Sequence, residues 1–282
     1  MILMANYKIG ELSKLLKIPE TTIRYYDKMG IIASQKNEEN GYRLFNDVDM
    51  HNLMHYKMYR SYGLSQKEAQ QCIYDFELSE INQSLTKNLT NIDLQISFLT
   101  SKKDIILQKK QFIERLDSQL GTLSEVEREA SYLIGYRKRD EEQTSLIQKK
   151  ANSAVISNWL EYFPLVKMTP FLLEKDVRMR SDEGYSGLIL SQKLAHEFNL
   201  PRCEDVMDLP ACRCVSYIFQ RQNAMSVPFI RYLEPVFSYM EERAYEIDGI
   251  VTFDPYIALK KHSEHLFYGR VLVPFREKPD LC

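Results

Sequence analysis

The sequence contains little cysteine: five residues among 282, at positions 72, 203, 212, 214 and 282. A set this sparse, with an odd count, argues against a disulfide framework. The chain also has no run of 18 apolar residues, and its first residues lack the basic and then apolar pattern of a signal peptide. These absences predict a cytoplasmic protein with no membrane partner.

Neither sign of charge dominates the sequence. The formal net charge is -2, which excludes a basic coat protein for nucleic acid. Residues 1–62 hold nine Lys or Arg against seven Asp or Glu, so this region is only weakly basic. DNA binding by this region would therefore depend on where single residues are placed, and each phosphate contact would make the affinity sensitive to salt.

Motifs for catalysis and metal binding are also missing. The sequence has no glycine-rich phosphate loop and no nucleophile–base pattern, and its histidines lack zinc-ligand spacing with cysteine. We predict that the protein is not an enzyme and holds no metal or cofactor. Two alternatives stay open: a small-molecule-binding protein or hydrolase, and a thiol or metal sensor that uses Cys212 and Cys214, two thiols on one face of a predicted strand.

Two short helical patterns lie close together near the N-terminus. Pro19 separates them, and Thr21 and Thr22 are placed to cap the second helix, which runs to about Met29 and ends at Gly30. The first has an apolar face at helical spacing, formed by Ile9, Leu12, Leu15 and Leu16. Two helices joined by a tight turn form a helix-turn-helix, the arrangement that places its second helix in a DNA major groove.

The side chains around this unit are of types that contact phosphates and base edges. On the second helix they are Thr21, Arg24, Tyr25 and Lys28. The polar turn at 37–41 and the strand-like residues 42–45 predict a hairpin wing that carries Arg43 to a phosphate. Asn46 is placed to cap a third helix and Ser65 a fourth. Lys57 and Arg60 on the third helix are candidates for the DNA backbone, and a solvated helix face is equally consistent with them.

The motifs occur in a recognisable order: Ile9-Gly10-Glu11-Leu12-Ser13, then Thr22 to Asp27, Gly30 and Gly41-Tyr42-Arg43. Together they resemble the DNA-binding domain of MerR-family transcription regulators. The resemblance implies that Arg24, Tyr25 and Arg43 contact DNA, with Tyr42 beside them in the wing and Tyr26 as partly buried support. It also implies double-stranded promoter DNA and RNA polymerase as partners.

A heptad repeat follows the N-terminal region. It predicts a long coiled-coil helix over 78–121 that spans about 50 Å from the first apolar position to the last at ~1.5 Å per residue. The apolar residues recur at every seventh position: Leu85, Ile92, Leu99, Ile106, Ile113 and Leu120. Such a helix needs a partner, and the resemblance implies an antiparallel homodimer. Packing against its own C-terminal domain is an alternative that can coexist with the dimer.

From residue 124 onwards, strand-like and helix-like runs alternate. The order is that of a duplicated βαββ unit, with helices on one face of a largely antiparallel sheet. The predicted helices are 145–162 and 227–245, and the predicted strands are 131–136, 170–177, 185–190, 210–219, 250–253 and 266–275. The predicted fold is α+β and multidomain: a winged helix-turn-helix at 1–77, a dimerisation helix at 78–121 and an effector-binding domain at 124–282.

This order of elements, with the closing Leu272-Val273-Pro274, is similar to the GyrI-like effector-binding domain of multidrug-responsive MerR regulators. The resemblance implies a pocket between the two half-repeats, lined by Phe171, Tyr185, Phe229, Phe267 and Tyr268. Aromatic walls suit flat, lipophilic ligands, cations among them.

The charge of the expected ligand depends on three further residues. Glu174 and Asp254 are candidate partners for a cation. Arg270 occupies a position where many relatives carry an acid, so it neutralises a neighbouring acid or selects an anion, and a solvated or structurally paired arginine is the alternative. The sequence therefore predicts a ligand-responsive homodimeric regulator, an activator that distorts the spacer of a palindromic promoter when ligand binds.

Overall fold

The computed structural model describes residues 6–37, 41–139, 144–147, 150–222, 228–261 and 264–278. The chain forms two compact units, Met1–Ser97 and Phe98–Cys282. The three-part division with boundaries near 77 and 121 stays a prediction. Among the described residues, no helix has both the length and the apolar character needed to cross a membrane.

The first unit contains the helix-turn-helix and its wing. Its elements are β1 (Asn6–Lys8), α1 (Ile9–Leu16), α2 (Glu20–Lys28), β2 (Gln35–Lys36), β3 (Arg43–Asn46), α3 (Asp47–Ser61), α4 (Gln66–Tyr74) and the start of α5 (Leu78–Gln119). The three strands form an antiparallel sheet in the order β1-β3-β2. The winged helix-turn-helix predicted from the sequence is confirmed, although residues 38–40 of the predicted turn lie outside the described residues.

Local capping chemistry determines where these helices begin. Asn46 and Ser65 each accept a hydrogen bond from the backbone N–H three residues later, at 3.0 and 3.2 Å, so both predicted caps are confirmed. The predicted cap of α2 is wrong, because Pro19 is its N-cap and both Thr21 and Thr22 lie in its first turn. The proline ring fixes φ near the value that starts a helix and needs no N–H partner.

A compact core fixes the orientation of α2. Leu12, Ile23, Phe45 and Leu53 are fully buried together. Tyr26 packs against this cluster, and its ring lies 5.0 Å from the ring of Tyr56 in a second cluster. Because Ile23 and Tyr26 hold one side of α2 against the core, the opposite side faces outward.

The long helix is confirmed: α5 runs for 42 residues. Four consecutive heptad positions of α5 are exposed, with 40% of Ile92, 61% of Leu99, 56% of Ile106 and 49% of Ile113 accessible. Within the second unit, a different face of α5 makes packing contacts, since the centre of the Phe98 ring lies 6.2 and 6.1 Å from the ring centres of Tyr162 and Phe198. Helix α5 therefore packs on its own domain through one face and keeps its apolar heptad stripe exposed.

The second unit is a sheet with helices. Its further elements are β4 (Leu123–Arg128), β5 (Ser131–Arg139), β6 (Thr144–Leu146), α6 (Lys150–Leu160), β7 (Lys167–Leu172), α7 (Glu174–Arg178), β8 (Gly184–Ser191), α8 (Gln192–Glu197), β9 (Met207–Leu209), β10 (Cys212–Gln222), α9 (Glu234–Glu242), β11 (Tyr245–Ile247), β12 (Val251–Lys261) and β13 (Glu264–Glu277). The main strands are antiparallel in the order β4-β10-β13-β12-β7-β8-β5-β6.

The two half-repeats join where β12 pairs with β7, through Val251 opposite Leu172 and Thr252 opposite Phe171. Side chains alternate between the faces of a sheet, so Val251 and Leu172 share one face while Thr252 and Phe171 share the other. The first face packs against α6, where Trp159 is buried, and against α9. The predicted α+β architecture is confirmed, and it leaves the second face to meet α5.

Three element predictions need correction. The start of the predicted 145–162 helix is strand β6, because its backbone pairs with β5, and α6 begins at Lys150. The predicted strand 170–177 ends at Leu172, and α7 follows with Glu174 and Asp176 in its first turn, where acidic side chains favour a helix. The predicted helix 227–245 is a 3-10 turn at 229–233 followed by α9, since Pro235 breaks the helical ladder; Val227 lies outside the described residues.

Candidate nucleic-acid interface and ligand cavity

The outward face of α2 carries the four residues expected there. Thr21, Arg24, Tyr25 and Lys28 are all exposed, at the spacing that places them along one side of a helix. Arg24 lies 3.4 Å from Glu20 one turn earlier, and the Tyr25 hydroxyl donates to Gln66 at 3.4 Å. Both contacts are long and exposed, so a phosphate or base edge can replace them at little cost.

The wing is tied to the end of α2 by Asp27. Its carboxylate accepts hydrogen bonds from the Ser34 N–H at 3.0 Å and the Ser34 hydroxyl at 2.7 Å, and it lies 3.4 Å from the Arg43 Nε. Arg43 is about half exposed, and Tyr42 beside it is more so. The sequence showed Asp27 only as part of a motif, whereas the structure shows that it positions Arg43.

Lys57 and Arg60 both donate to backbone carbonyls of the first unit. The Lys57 ammonium donates to the Leu16 carbonyl at 3.0 Å, at the end of α1. The Arg60 guanidinium donates to the Leu64 carbonyl beyond α3. Carbonyls at the end of a helix lack partners in the helix, so Lys57 stabilises the end of α1. Arg60 stabilises the connection between α3 and α4, where Leu64 lies.

Asp254 and Arg270 form an ion pair on the sheet face that meets α5. They are directly opposite each other on β12 and β13, and Arg270 Nη2 lies 2.9 Å from an Asp254 carboxylate oxygen. Both side chains are mostly buried. Among the alternatives that the sequence left open for Arg270, the structure shows an ion pair that neutralises a neighbouring acid.

Two cavities meet at this ion pair. The first has a volume of about 590 Å³, and helix α5 forms one wall through Ile105, Gln108, Phe112 and Arg115. The second, of about 490 Å³, is also lined by Ile105, Gln108, Lys167, Asp254 and Arg270, and extends to Arg128, Thr252 and Leu272. Both volumes suit a small organic ligand.

The other six predicted ligand residues line neither cavity. Phe171 and Tyr185 stack on each other at 5.1 Å in a small cluster of their own. Phe229 packs on Phe253 at 4.6 Å, in the core on the α9 side of the sheet. Glu174 pairs with Arg178 at 2.8 Å on the surface of α7. Phe267 and Tyr268 are half-buried on β13, outside both cavity linings.

Sequence reasoning missed the cavity wall on α5. Phe98, Ile105 and Phe112 recur every seven residues, one position before Leu99, Ile106 and Ile113. This second stripe is the face that packs on the domain and lines the cavity. Two parallel seven-residue stripes indicate a helix with two packing surfaces, and this signal was present in the sequence.

The two cysteines of β10 lie side by side, as predicted, with their sulfur atoms 3.7 Å apart. Cys214 is fully buried and Cys212 is half-buried. In the described part of the chain, no group of three or more His, Cys, Asp or Glu side chains is arranged to hold a metal ion. The metal-sensor alternative is therefore not favoured.

Comparison with known proteins agrees with the N-terminal geometry. The family described as "MerR family regulatory protein" matches residues 8–45. The chain is 33% identical over 97 residues to the HTH-type transcriptional regulator HmrR of Rhizobium leguminosarum bv. viciae, a match that covers 33% of this chain and 74% of that protein.

Two further relatives are similar over a longer stretch. The chain is 31% identical over 117 residues to the HTH-type transcriptional regulator ZntR of Escherichia coli (strain K12), covering 42% of this chain and 72% of that protein. It is 24% identical over 119 residues to the multidrug-efflux transporter 2 regulator of Bacillus subtilis (strain 168), covering 42% of this chain and 44% of that protein. With an exposed recognition helix, a wing beside it and two relatives above 30% identity matched over more than two thirds of their length, the chain belongs to the MerR family of transcription regulators.

Proposed function

We propose that this protein is a homodimeric transcription regulator that responds to a small molecule bound between α5 and the sheet of the second unit. One observation carries the proposal: the same helix presents an exposed apolar stripe on one face and lines a cavity with the adjacent face. A ligand in that cavity would touch the element that holds the dimer together.

The heptad stripe supports dimerisation through α5. Four large apolar side chains at consecutive heptad positions are each at least 40% exposed. Burying such a side chain fully contributes about 1.5–3 kcal/mol, so a second copy of the helix is the partner that this pattern fits. A two-fold dimer presents two recognition helices to a palindromic promoter. RNA polymerase is the further partner that the activator role requires.

The cavity favours a lipophilic aromatic ligand with an acidic group. Its apolar walls include Phe112 and Phe163, and Arg115 and Lys167 add positive charge around the ion pair. Because Arg270 already neutralises Asp254, a cationic ligand would have to displace the guanidinium. An acid meets cations without breaking an existing pair. The sequence left the charge of the ligand open, and the aromatic side chains of this cavity are Phe112 and Phe163 rather than the five that the resemblance implied.

Ligand binding must distinguish two states of the dimer to control transcription. A ligand that binds both states equally well shifts nothing. Distorting a promoter spacer costs on the order of 1–6 kcal/mol by elastic estimates. We propose that ligand contacts to Ile105, Gln108 and Phe112 favour one arrangement of the paired α5 helices, and that this arrangement activates transcription.

A thermal-shift series on the full-length protein tests the ligand proposal. 2-Naphthoate is expected to raise the melting temperature, whereas 2-naphthalenemethanol raises it less and tetraphenylphosphonium has no effect. A ligand at 100 times its dissociation constant adds about 2.7 kcal/mol to the free energy of unfolding. Stabilisation by the cation alone would contradict the proposed ligand class. Footprinting of the promoter with and without the acid then tests the regulatory role separately.

Arg43→Ala tests the proposed role of the wing. Since Arg43 is placed for a phosphate, its loss should weaken binding to all DNA sequences alike and reduce the slope of log affinity against log salt by about one. Fluorescence anisotropy at several salt concentrations measures both effects. Lys57→Ala is the matched control: it should lower the melting temperature and leave the salt slope unchanged. Loss of affinity at a single base position would contradict the phosphate role.

A further inference from the structure

Cys212 and Cys214 lie on one face of β10, between β4 and β13. Cys212 is opposite Arg128 on β4, and Cys214 is opposite Pro274 on β13. The two sulfur atoms are 3.7 Å apart, at hydrogen-bond distance for thiols. The pair therefore forms a dithiol with one sulfur accessible from solvent and one enclosed.

Arg128 supplies a buried positive charge beside this dithiol. It is only 6% exposed, and its Nη1 donates to the Ile250 carbonyl at 2.8 Å. In the described part of the chain it forms no ion pair with a carboxylate, and its Nε has no hydrogen-bond partner. A buried guanidinium without a counter-charge is costly. A thiolate at Cys212, directly across the ladder, provides that charge.

The surrounding groups favour ionisation of Cys212. A hydrogen bond from the Cys214 thiol, together with the attraction of Arg128, lowers the pKa of the Cys212 thiol to about 6, although burial and Asp248 oppose this. The same hydrogen bond and burial raise the pKa of the Cys214 thiol, against the attraction of Arg128 and Arg270. These opposite shifts make Cys212 the thiolate of the pair and Cys214 the neutral thiol that donates to it.

We propose that Cys212 and Cys214 form a switch that hydroperoxides oxidise to an intramolecular disulfide. The Cys212 thiolate attacks one peroxide oxygen, the O–O bond breaks, and the departing alkoxide takes a proton and leaves as an alcohol. Cys212 is then a sulfenic acid. The Cys214 sulfur attacks it, its proton leaves with the hydroxyl group as water, and the S–S bond forms. Two thiols are oxidised and one hydroperoxide is reduced.

The position in a strand makes this disulfide easy to reverse. Residues two apart in a strand have Cα atoms about 6.4–6.8 Å apart, which is at the long end of the range for disulfides. A strained disulfide is reduced readily by cellular thiols. Oxidation also removes the counter-charge of Arg128, which lines the second cavity. Oxidation would thus make the net charge beside the second cavity more positive. The protein would then respond to peroxide as a signal separate from the small-molecule ligand.

Peroxide treatment of the full-length protein tests this inference. Trypsin cleaves after Arg202, Arg213 and Arg221, so Cys212 shares the peptide 203–213 with Cys203, and Cys214 lies in the peptide 214–221. A disulfide joins these two peptides in mass spectrometry, and fragment ions assign it to Cys212 or to Cys203. We expect hydrogen peroxide to join them and dithiothreitol to separate them. The rate of Cys212 alkylation by iodoacetamide should rise with pH along a titration curve whose midpoint lies near pH 6. The half-buried Cys203 provides the comparison within the same protein.

Two variants separate the switch from an ordinary pair of thiols. Cys214→Ala removes both the second sulfur and the hydrogen-bond donor, so it should stop disulfide formation, let dimedone trap the sulfenic acid on Cys212 and raise the pH midpoint of Cys212 alkylation. Arg128→Lys keeps the positive charge, so the pH midpoint of Cys212 alkylation should stay low. Arg128→Met removes the charge and should slow Cys212 alkylation at pH 6.5 about tenfold. The proposal is overturned if peroxide leaves the peptides separate, or if Cys212 reacts no faster than Cys203 at pH 6.5.

Discussion

Leu99→Lys is expected to convert the dimer to a monomer and to weaken binding to a palindromic promoter about 100-fold or more, since two linked half-sites gain that much in avidity. Leu99 lies in the middle of α5, and 61% of its surface is exposed. Pairing of two α5 helices would bury this side chain, and a buried unpaired ammonium is strongly unfavourable. Sedimentation velocity measures the oligomeric state and fluorescence anisotropy measures the affinity for DNA.

Leu94→Lys is the matched control for this prediction. Leu94 is on the same helix and is 42% exposed, and its substitution is the same change from leucine to lysine. It follows Ile92 by two residues, which turns it about 200° away from the heptad stripe. The control protein should remain a dimer and bind the promoter as the unmodified protein does. Equal losses in both variants, or a dimer of the Leu99→Lys protein, would contradict dimerisation through this stripe.

Arg270→Gln is expected to reverse the charge preference of the ligand cavity. The substitution leaves the mostly buried Asp254 without its 2.9 Å ion-pair partner. A carboxylate in that setting attracts a cation and repels an acid, and a charge-assisted hydrogen bond contributes about 1.5–3 kcal/mol. The ratio of affinities for tetraphenylphosphonium and 2-naphthoate should therefore rise about 100-fold, as measured by isothermal titration calorimetry.

Arg276→Gln controls for the loss of a cation from the same strand. Arg276 pairs with Glu246 at 2.6 Å on the exposed surface and lines neither cavity. Its substitution should leave both affinities unchanged. The double variant Asp254→Asn with Arg270→Gln removes both charges and should lose the preference for the cation. An unchanged affinity ratio in the Arg270→Gln protein would show that ligands bind elsewhere.

Local signals in the sequence were enough to predict much of the fold. The helix-turn-helix followed from apolar residues such as Leu12 and Ile23 at helical spacing, and two helix starts followed from the capping residues Asn46 and Ser65. The long helix followed from its heptads. These features depend on residues within a few positions of each other, so the sequence contains the information directly.

The candidate ligand site was only partly predictable. Asp254 and Arg270 were identified one by one, and their pairing depends on strand register between β12 and β13. The aromatic residues were misplaced because composition does not reveal which sheet face a side chain occupies. Phe229 illustrates this: it lies against Phe253 in the core, on the face opposite the cavity.

The sequence by itself determined the family, the recognition helix with its wing, the length of α5 and the duplicated order of strands and helices. The tertiary structure alone decided that Lys57 and Arg60 bind carbonyls inside the first unit, that α5 forms a cavity wall, and that Arg128 lies beside Cys212. The physical reason is separation along the chain. These contacts join residues that are distant in sequence, and their geometry is fixed only when the sheet and the core pack.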